Sequence, residues 1–491
     1  MNYRVVFQTL GKVAIALAIM LVAPTILSAC LAERSWWALL TTVGISLAIG
    51  LPLTFAIKPK NNVIFTKDGL IIVSLAWIYV SAIGALPFVI SGSIPNYVDA
   101  FFEMCSGFST TGATILTGDR IEAMDKGLLF WRSFTHWIGG MGVIVFLMAF
   151  ESGSSDRGMH VLRAEMPGPI VDKIVPRARD TAKILYLLYI GFTVVETIAL
   201  IIAGMPIFDS VVHAFGTAGT GGFGIKADSI ASYNAACQWI ITVFMILFGI
   251  NFNLYYLMIM RKFRQAFGSR ELWIFGGIIV ATATAISIDL ALSQLTYTQS
   301  ANDAVRHAAF QVAAFISTTG YSTIPSSSSI NAFPLLSKGL LFMLMFIGGC
   351  AGSTGGGLKV SRVAILFCAA RKELRRVTHP RNANAVKFEG KILSDETLHG
   401  VINYFAIYML LIAATFVVLS FDGGAGLSVE ANITATVSCI NNIGPAYGVA
   451  ASGYYMYNWF SKLVMSFVML LGRLEIYPIL IALTPTTWIK R

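Results

Sequence analysis

Four loops hold the residues of this chain best suited to chemistry. They are Thr110-Thr111-Gly112, Gly221-Gly222, Thr318-Thr319-Gly320 and Asn442-Ile443-Gly444. The chemistry would be coordination. Glycine takes positive φ without strain, so successive backbone carbonyls can turn to one side. Rings of carbonyl oxygens can then replace the water around a dehydrated monovalent cation such as K⁺. A short apolar stretch precedes each loop, near 97–109, 209–219, 303–317 and 430–441. Such stretches cannot cross a bilayer alone and suit re-entrant segments. A helix ending at each loop would direct its negative dipole end toward the cation. A single Ser-Thr-Thr-Gly would read as a turn or a helix-packing site. Four such loops at equivalent places in a repeat read as a pore.

Those loops need elements to position them. Aligned on Gly112, Gly222, Gly320 and Gly444, Asp99 and Asp209 share one column, and Glu103, His213 and Gln311 share another. Each unit reads helix, short helix, glycine loop, helix. A unit crosses the membrane twice, so successive units have the same orientation and can surround an axis along the membrane normal. This is a parallel repeat. Irregular backbone at that depth must line a wet cavity or be buried in protein.

Composition agrees. The chain is 56% hydrophobic and 12% charged, where soluble domains carry about 25% charged residues. Spanning helices are predicted near 8–31, 36–57, 68–92, 128–150, 182–204, 236–260, 272–294, 335–365, 399–421 and 457–483. The predicted fold class is an all-α polytopic membrane protein. Its ten transmembrane helices form four parallel helix–pore-loop–helix repeats around a pseudo-four-fold pore, plus an N-terminal helix pair. The expected units are 1–66 for the pair, 67–150 and 151–265 for repeats one and two, 266–392 for repeat three with a gating loop, and 393–491 for repeat four.

The net charge of +10 sits in short loops, the membrane-orientation pattern, and not in a nucleic-acid patch. One set of loops carries Lys58, Lys60 and Lys67, then Arg157 to Lys183, Arg261 to Arg270, Arg371 to Lys391, and Lys490 with Arg491. The positive-inside rule places these loops, and both termini, in the cytoplasm. The opposite side holds Asp99, Glu103, Asp119 and Asp209, which could attract cations. Asp99 and Asp209 also suit helix N-caps. The six cysteines are scattered, with no CxxC pair. Leu27-Ser28-Ala29-Cys30 resembles a lipoprotein cleavage box. A second apolar run follows at once, so Cys30 reads as the end of a first membrane helix.

The eighth span meets a break. Between 348 and 357 lie Gly348, Gly349, Gly352, Gly355, Gly356 and Gly357. Each glycine costs a helix interior about 1 kcal/mol relative to alanine, so a loop is predicted halfway across. Arg473 lies inside the last span, where a charge is expensive and faces the interior. Together they suit a gate: a guanidinium on the pore axis would repel the cation and could bond the loop's carbonyls. Glu475 is a poor partner for Arg473, since residues two apart on a helix do not face each other. Gly219 to Gly224 matches a dinucleotide fingerprint without the strand context. Gly352 to Lys359 resembles a phosphate loop but has Leu358 where lysine is required.

Four segments carry a family resemblance. They are Arg163-Ala164-Glu165-Met166-Pro167-Gly168-Pro169, the run Gly348 to Val360, Asn441-Asn442-Ile443-Gly444-Pro445 and Gly472-Arg473-Leu474-Glu475. With these the chain resembles the Trk/Ktr/HKT superfamily of K⁺ transporters over essentially its whole length, most closely the bacterial TrkH type. The resemblance implies K⁺ uptake across the bacterial inner membrane, with K⁺ held at the filter residues and no covalent cofactor. It further implies a homodimer with one pore per subunit and a cytosolic TrkA-type nucleotide-binding regulatory ring. The second and fourth loops depart from Thr-Thr-Gly, which weakens the expectation of strict K⁺/Na⁺ selectivity. The alternative is K⁺ symport with H⁺ or Na⁺, for which the buried ionisable candidates are His136 and His213; each also reads as a structural histidine. A membrane enzyme would need a nucleophile–base pair or a metal cluster, and the sequence offers neither.

Overall fold

A computed structural model describes residues 2–57, 66–142, 178–293, 295, 298, 300–324, 330–378 and 386–488. The segment Arg163–Pro169, most of the basic linker around it, Lys58, Lys60, Arg381 and the terminal Lys490 and Arg491 lie outside the described residues.

The described chain is mostly helical, with one two-stranded antiparallel hairpin, Lys387–Phe388 and Lys391–Ile392. Among the described residues, six helices are long and apolar enough to cross a membrane: Tyr3–Cys30, Trp36–Phe55, Lys67–Ile90, Lys183–Ile202, Arg270–Ser293 and Asp395–Ser420. They turn apolar side chains outward, among them Ile202, Leu292 and Leu410, as lipid-facing helices do. The first two pack as a hairpin. Small residues permit the approach: a Cβ at Gly50 would sit 3.0 Å from Ala14 Cβ and from the Gly11 oxygen, and Ser46 donates to the Ala14 oxygen at 2.9 Å.

Three of the predicted spans are not single helices. The span predicted over 236–260 consists of Ala235–Phe248 and Phe252–Ile259, bent by 90°. The bend has a cause: the Gly249 oxygen accepts from the Cys350 amide at 2.9 Å, and Asn251 caps the second piece by accepting from the Asn253 amide at 2.9 Å. The span over 335–365 stops at Leu344 and resumes as Val360–Thr378, the glycine-rich run lying between. The last span, 457–483, is Trp459–Arg473 followed by Tyr477–Leu483, with Glu475 and Ile476 at φ of 55° and 67° between them. The fourth span is described as Lys126–Met141; residues 143–150 fall outside.

Four shorter helices, Tyr97–Phe108, Ile207–Gly219, Ala301–Ile316 and Val429–Asn441, lie at the centre, almost wholly buried toward their C-terminal ends. Three begin at capping side chains. Asn96 accepts from the Val98 amide at 2.9 Å, Ser300 from Asp303 at 3.2 Å and Ser428 from Ala431 at 3.2 Å. The other starts after Pro206.

Candidate functional site

The four buried helices end alike. At each C-terminus one non-glycine residue lies in the left-handed region: Thr110 at φ 57°, Thr220 at 55°, Thr318 at 60° and Asn442 at 54°. The amide of the next residue reaches back to close a wide turn. Thr111 bonds the Ser106 oxygen at 2.9 Å, Gly221 that of Gly216 at 2.8 Å, Thr319 that of Ala314 at 2.8 Å and Ile443 that of Ser438 at 3.0 Å. This is the Schellman closure, normally built on glycine. Threonine is β-branched, so holding it there costs on the order of 1–3 kcal/mol. Local sequence preference does not explain three such residues; surrounding contacts must hold them. Two positions further on, Gly112, Gly222, Gly320 and Gly444 have φ of 78°, 70°, 78° and 101°.

The four loops close a ring. A Cβ on Gly112 would run into the Gly221 oxygen, one on Gly222 into the Thr319 oxygen, and one on Gly320 into the Ile443 oxygen. A Cβ on Gly444 would come within 2.6 Å of the Thr111 oxygen. Each glycine thus faces the carbonyl of the residue just before the next loop's glycine, and the order returns to its start. Asn442 adds a side-chain tie across the first and fourth loops, donating to Thr111 Oγ1 at 3.0 Å. All the sequence-predicted loop residues are therefore in one place.

On one side of the ring opens a cavity of about 400 Å³, lined by all four glycines and by Thr114, Asp119, Arg132, Asp228 and Tyr454. Asp119 is exposed there. Glu103 is not at a mouth: it is fully buried and paired with Arg132 at 2.7 Å. Asp99 and Asp209 are not N-caps, since Asn96 and Pro206 hold those positions. Asp99 pairs with Lys462 at 2.7 Å, and Asp209 accepts from the Tyr233 hydroxyl at 2.8 Å.

On the other side the glycine-rich run meets the ring. The Gly356 amide donates to Thr318 Oγ1 at 2.7 Å, and a Cβ there would sit 2.7 Å from the Asn441 oxygen. Gly355 and Gly357 lie against Ser317 and Asn441. Gly349 and Gly352 instead pack on the break at Gly249 and Asn251, and Gly348 folds back on Gly356. These three support the loop without touching the ring. Arg473 donates to the oxygens of Thr354 at 2.7 Å and of Gly139 and Gly140 at 2.6 Å each, and to Thr110 Oγ1 at 3.2 Å. Glu475 pairs with Arg362 at 2.5 Å.

His136 is buried, with Nδ1 2.7 Å from the Gly107 oxygen, and His213 Nδ1 lies 3.4 Å from the Tyr321 hydroxyl. Among the described residues neither ring bonds a carboxylate, and no group of His, Cys, Asp or Glu could hold a metal ion. Sequence reading passed over Arg132, Glu271 and Lys359, all buried. Lys359 donates to the Gly355 oxygen. A charge placed within or next to an apolar run was the available signal for each.

Apolar helices around a central ring of strained, glycine-spaced loops define an integral membrane protein of the transport class. The chain belongs to the TrkH family of cation transport proteins, whose model matches residues 38–487; it is a transport protein and not an enzyme. The Trk system potassium uptake protein TrkH of Salmonella typhimurium is 34% identical over 493 residues, covering 99% of this chain and all of that protein. TrkG of Escherichia coli is 30% identical, covering 99% of each. The crystal structure of the potassium transporter TrkH from Vibrio parahaemolyticus superposes over the full length of both chains with a TM-score of 0.88 at 31% identity.

Proposed function

We propose that this chain takes up K⁺ across the bacterial inner membrane through a gated pore whose filter is the ring of four loops. The observation that carries the reading is that each filter glycine faces the carbonyl preceding the next glycine. A closed ring of carbonyl-bearing backbone is what a dehydrated cation needs. Thr110, Thr111, Gly112, Gly221, Gly222, Thr318, Thr319, Gly320, Asn442, Ile443 and Gly444 form the filter. The loop 348–357 and Arg473 form the gate beside it, where a guanidinium repels K⁺ while bonding loop oxygens. Ten crossings in four repeats (67–150, 151–265, 266–392 and 393–491) surround the pore, and residues 1–66 add a peripheral pair. Both termini are cytoplasmic, two copies associate, and a cytosolic TrkA-type nucleotide-binding ring opens the gate. The names of the relatives support K⁺ as the ion.

A second reading, K⁺ symport with H⁺ or Na⁺, has one observation in its favour: Glu196, in the helix Ala178–Ile202, is fully buried. Rb⁺ flux into liposomes holding the full chain, at set voltage, tests both. Saturable Rb⁺ uptake that K⁺ competes away supports the first reading, and no Rb⁺ uptake with or without the cytosolic partner overturns it. A proton gradient that changes flux at fixed voltage moves the choice to H⁺ symport, and a Na⁺ gradient that does so moves it to Na⁺ symport.

A further inference from the structure

Two opposite charges meet in full burial beside the first and second loops. Arg132 Nε donates to Glu103 Oε1 at 2.7 Å, and the side chains are 1% and 0% exposed. Neither group is used by the coordination or gating just described. Both reach the loops. The Glu103 carboxylate accepts from Thr114 Oγ1 at 2.9 and 3.1 Å and from the Ile115 amide at 3.0 Å, just beyond Gly112. Arg132 Nη1 donates to the Gly224 oxygen at 2.9 Å, just beyond Gly222. Its guanidinium lies 3.5 Å over the Phe223 ring.

One ion pair therefore fastens the cavity-side ends of two neighbouring loops to each other. The equivalent places in the other units do this more weakly. His213 meets the Tyr321 hydroxyl at 3.4 Å, Gln311 donates to Ser322 Oγ at 3.3 Å, and Ala435 can do neither. Arg132 also lines the cavity next to the ring, so its charge is felt where cations would enter, and Glu103 balances it.

We propose that Glu103 and Arg132 are a positioning pair that sets cation discrimination, by fixing the distance between the first and second loops and cancelling a positive charge at the cavity wall. The inference rests on the filter reading above. It makes two separable demands. A lysine at 132 keeps the charge but loses the planar fork and the stacking face, so spacing loosens while charge balance holds. A glutamine at 103 keeps the shape and loses the balancing charge, so an uncompensated cation faces the cavity. Such a buried charge is weakly screened by salt.

The test uses the purified full chain in liposomes, with K⁺/Na⁺ and K⁺/Rb⁺ permeability ratios as readouts, since a purely structural role would lower thermal stability without moving a ratio. Arg132→Lys is expected to lower the K⁺/Na⁺ ratio about threefold or more with flux retained, and Glu103→Gln to lower flux of all three ions. Phe223→Leu removes the stacking face and leaves the ion pair, and is expected to lower the ratio by less. It decides the matter if Arg132→Lys does not fold: a wild-type ratio in Phe223→Leu then overturns the proposal. Wild-type ratios in folded Arg132→Lys and Phe223→Leu also overturn it. Gly112→Ser and Gly320→Ser, measured alongside, separate the two levels. Ratios that shift in the glycine variants alone defeat the positioning pair, and ratios that shift in none of the variants defeat the filter reading itself.

Discussion

The amide of Gly356 donates to Thr318 Oγ1 at 2.7 Å, joining the glycine-rich loop to a threonine held in the left-handed region. Arg473 grips a second such threonine, donating to Thr110 Oγ1 at 3.2 Å. Two of the strained ring positions are thus gripped from the loop side. The glycine-rich loop and the ring are hydrogen-bonded to each other, so movement of the loop must either break these bonds or carry the threonines with it.

Arg473→Ala removes the bonds to Thr354, Gly139, Gly140 and Thr110 together. A hydrogen bond to a charged group contributes about 1.5–3 kcal/mol, and 1.4 kcal/mol is tenfold in an equilibrium. Partner-free Rb⁺ flux is expected to rise at least about tenfold. Arg473→Lys keeps the charge without the fork and should raise flux less. Flux at the wild-type level in folded Arg473→Ala places the barrier elsewhere.

Gly112→Ser and Gly320→Ser each force a Cβ against the oxygen of a neighbouring loop, at a positive φ that serine adopts poorly. The ring must widen or rotate a carbonyl. The K⁺/Na⁺ permeability ratio is expected to fall in both, measured by reversal potential or competitive Rb⁺ uptake. An unchanged ratio in both removes these glycines from the coordinating level.

What sequence could reveal here followed from backbone chemistry. Glycines at Gly112 and Gly320 are visible because only glycine fits where a neighbouring carbonyl approaches, and six glycines after Ile347 announce a break because helix propensity is local. The bend after Phe248 was missed for the opposite reason. Gly249 alone is tolerable in a helix, and its carbonyl is diverted by Cys350, a residue remote in sequence. Arg132 could be seen as a charge in an apolar run, but its partner Glu103 is chosen by how the helix Lys126–Met141 packs on the helix Tyr97–Phe108, which no helical spacing encodes. The same limit hid the role of Asp99, whose partner Lys462 comes from the helix Trp459–Arg473, remote in sequence.

Asp119 is exposed and lines the cavity next to the ring. A carboxylate there raises the local cation concentration, an effect that fades as salt shortens the screening length from about 30 Å at 0.01 M to about 8 Å at 0.15 M. Asp119→Asn is expected to lower Rb⁺ flux at low ionic strength and to have little effect at high ionic strength. An equal loss at both would mean that Asp119 acts on loop structure and not on the field.

Glu271 holds the glycine-rich loop at two points. Its Oε1 accepts from the Ala351 amide at 2.8 Å and from the Ser361 amide at 3.0 Å, so a single oxygen pins the run and the helix that follows it. The residue is 6% exposed, and its own amide donates to Glu389 Oε1 at 2.9 Å, in the turn of the hairpin Lys387–Phe388/Lys391–Ile392. Ser269 Oγ donates to the same oxygen at 3.1 Å. A path of hydrogen bonds therefore runs from the hairpin to the loop. Glu271→Ala strands two buried amides, and each lost bond to a charged acceptor is worth about 1.5–3 kcal/mol. Glu271→Gln retains a carbonyl oxygen that can accept from both, so it should lose less. The expected outcome is faster hydrogen exchange at Ala351 and Ser361 and higher partner-free Rb⁺ flux, in the order alanine, glutamine, wild type. If the alanine variant exchanges faster yet conducts as wild type does, loosening this end of the loop does not open the pore. The barrier would then rest on Arg473 and the contacts of Gly355 to Gly357 with the ring.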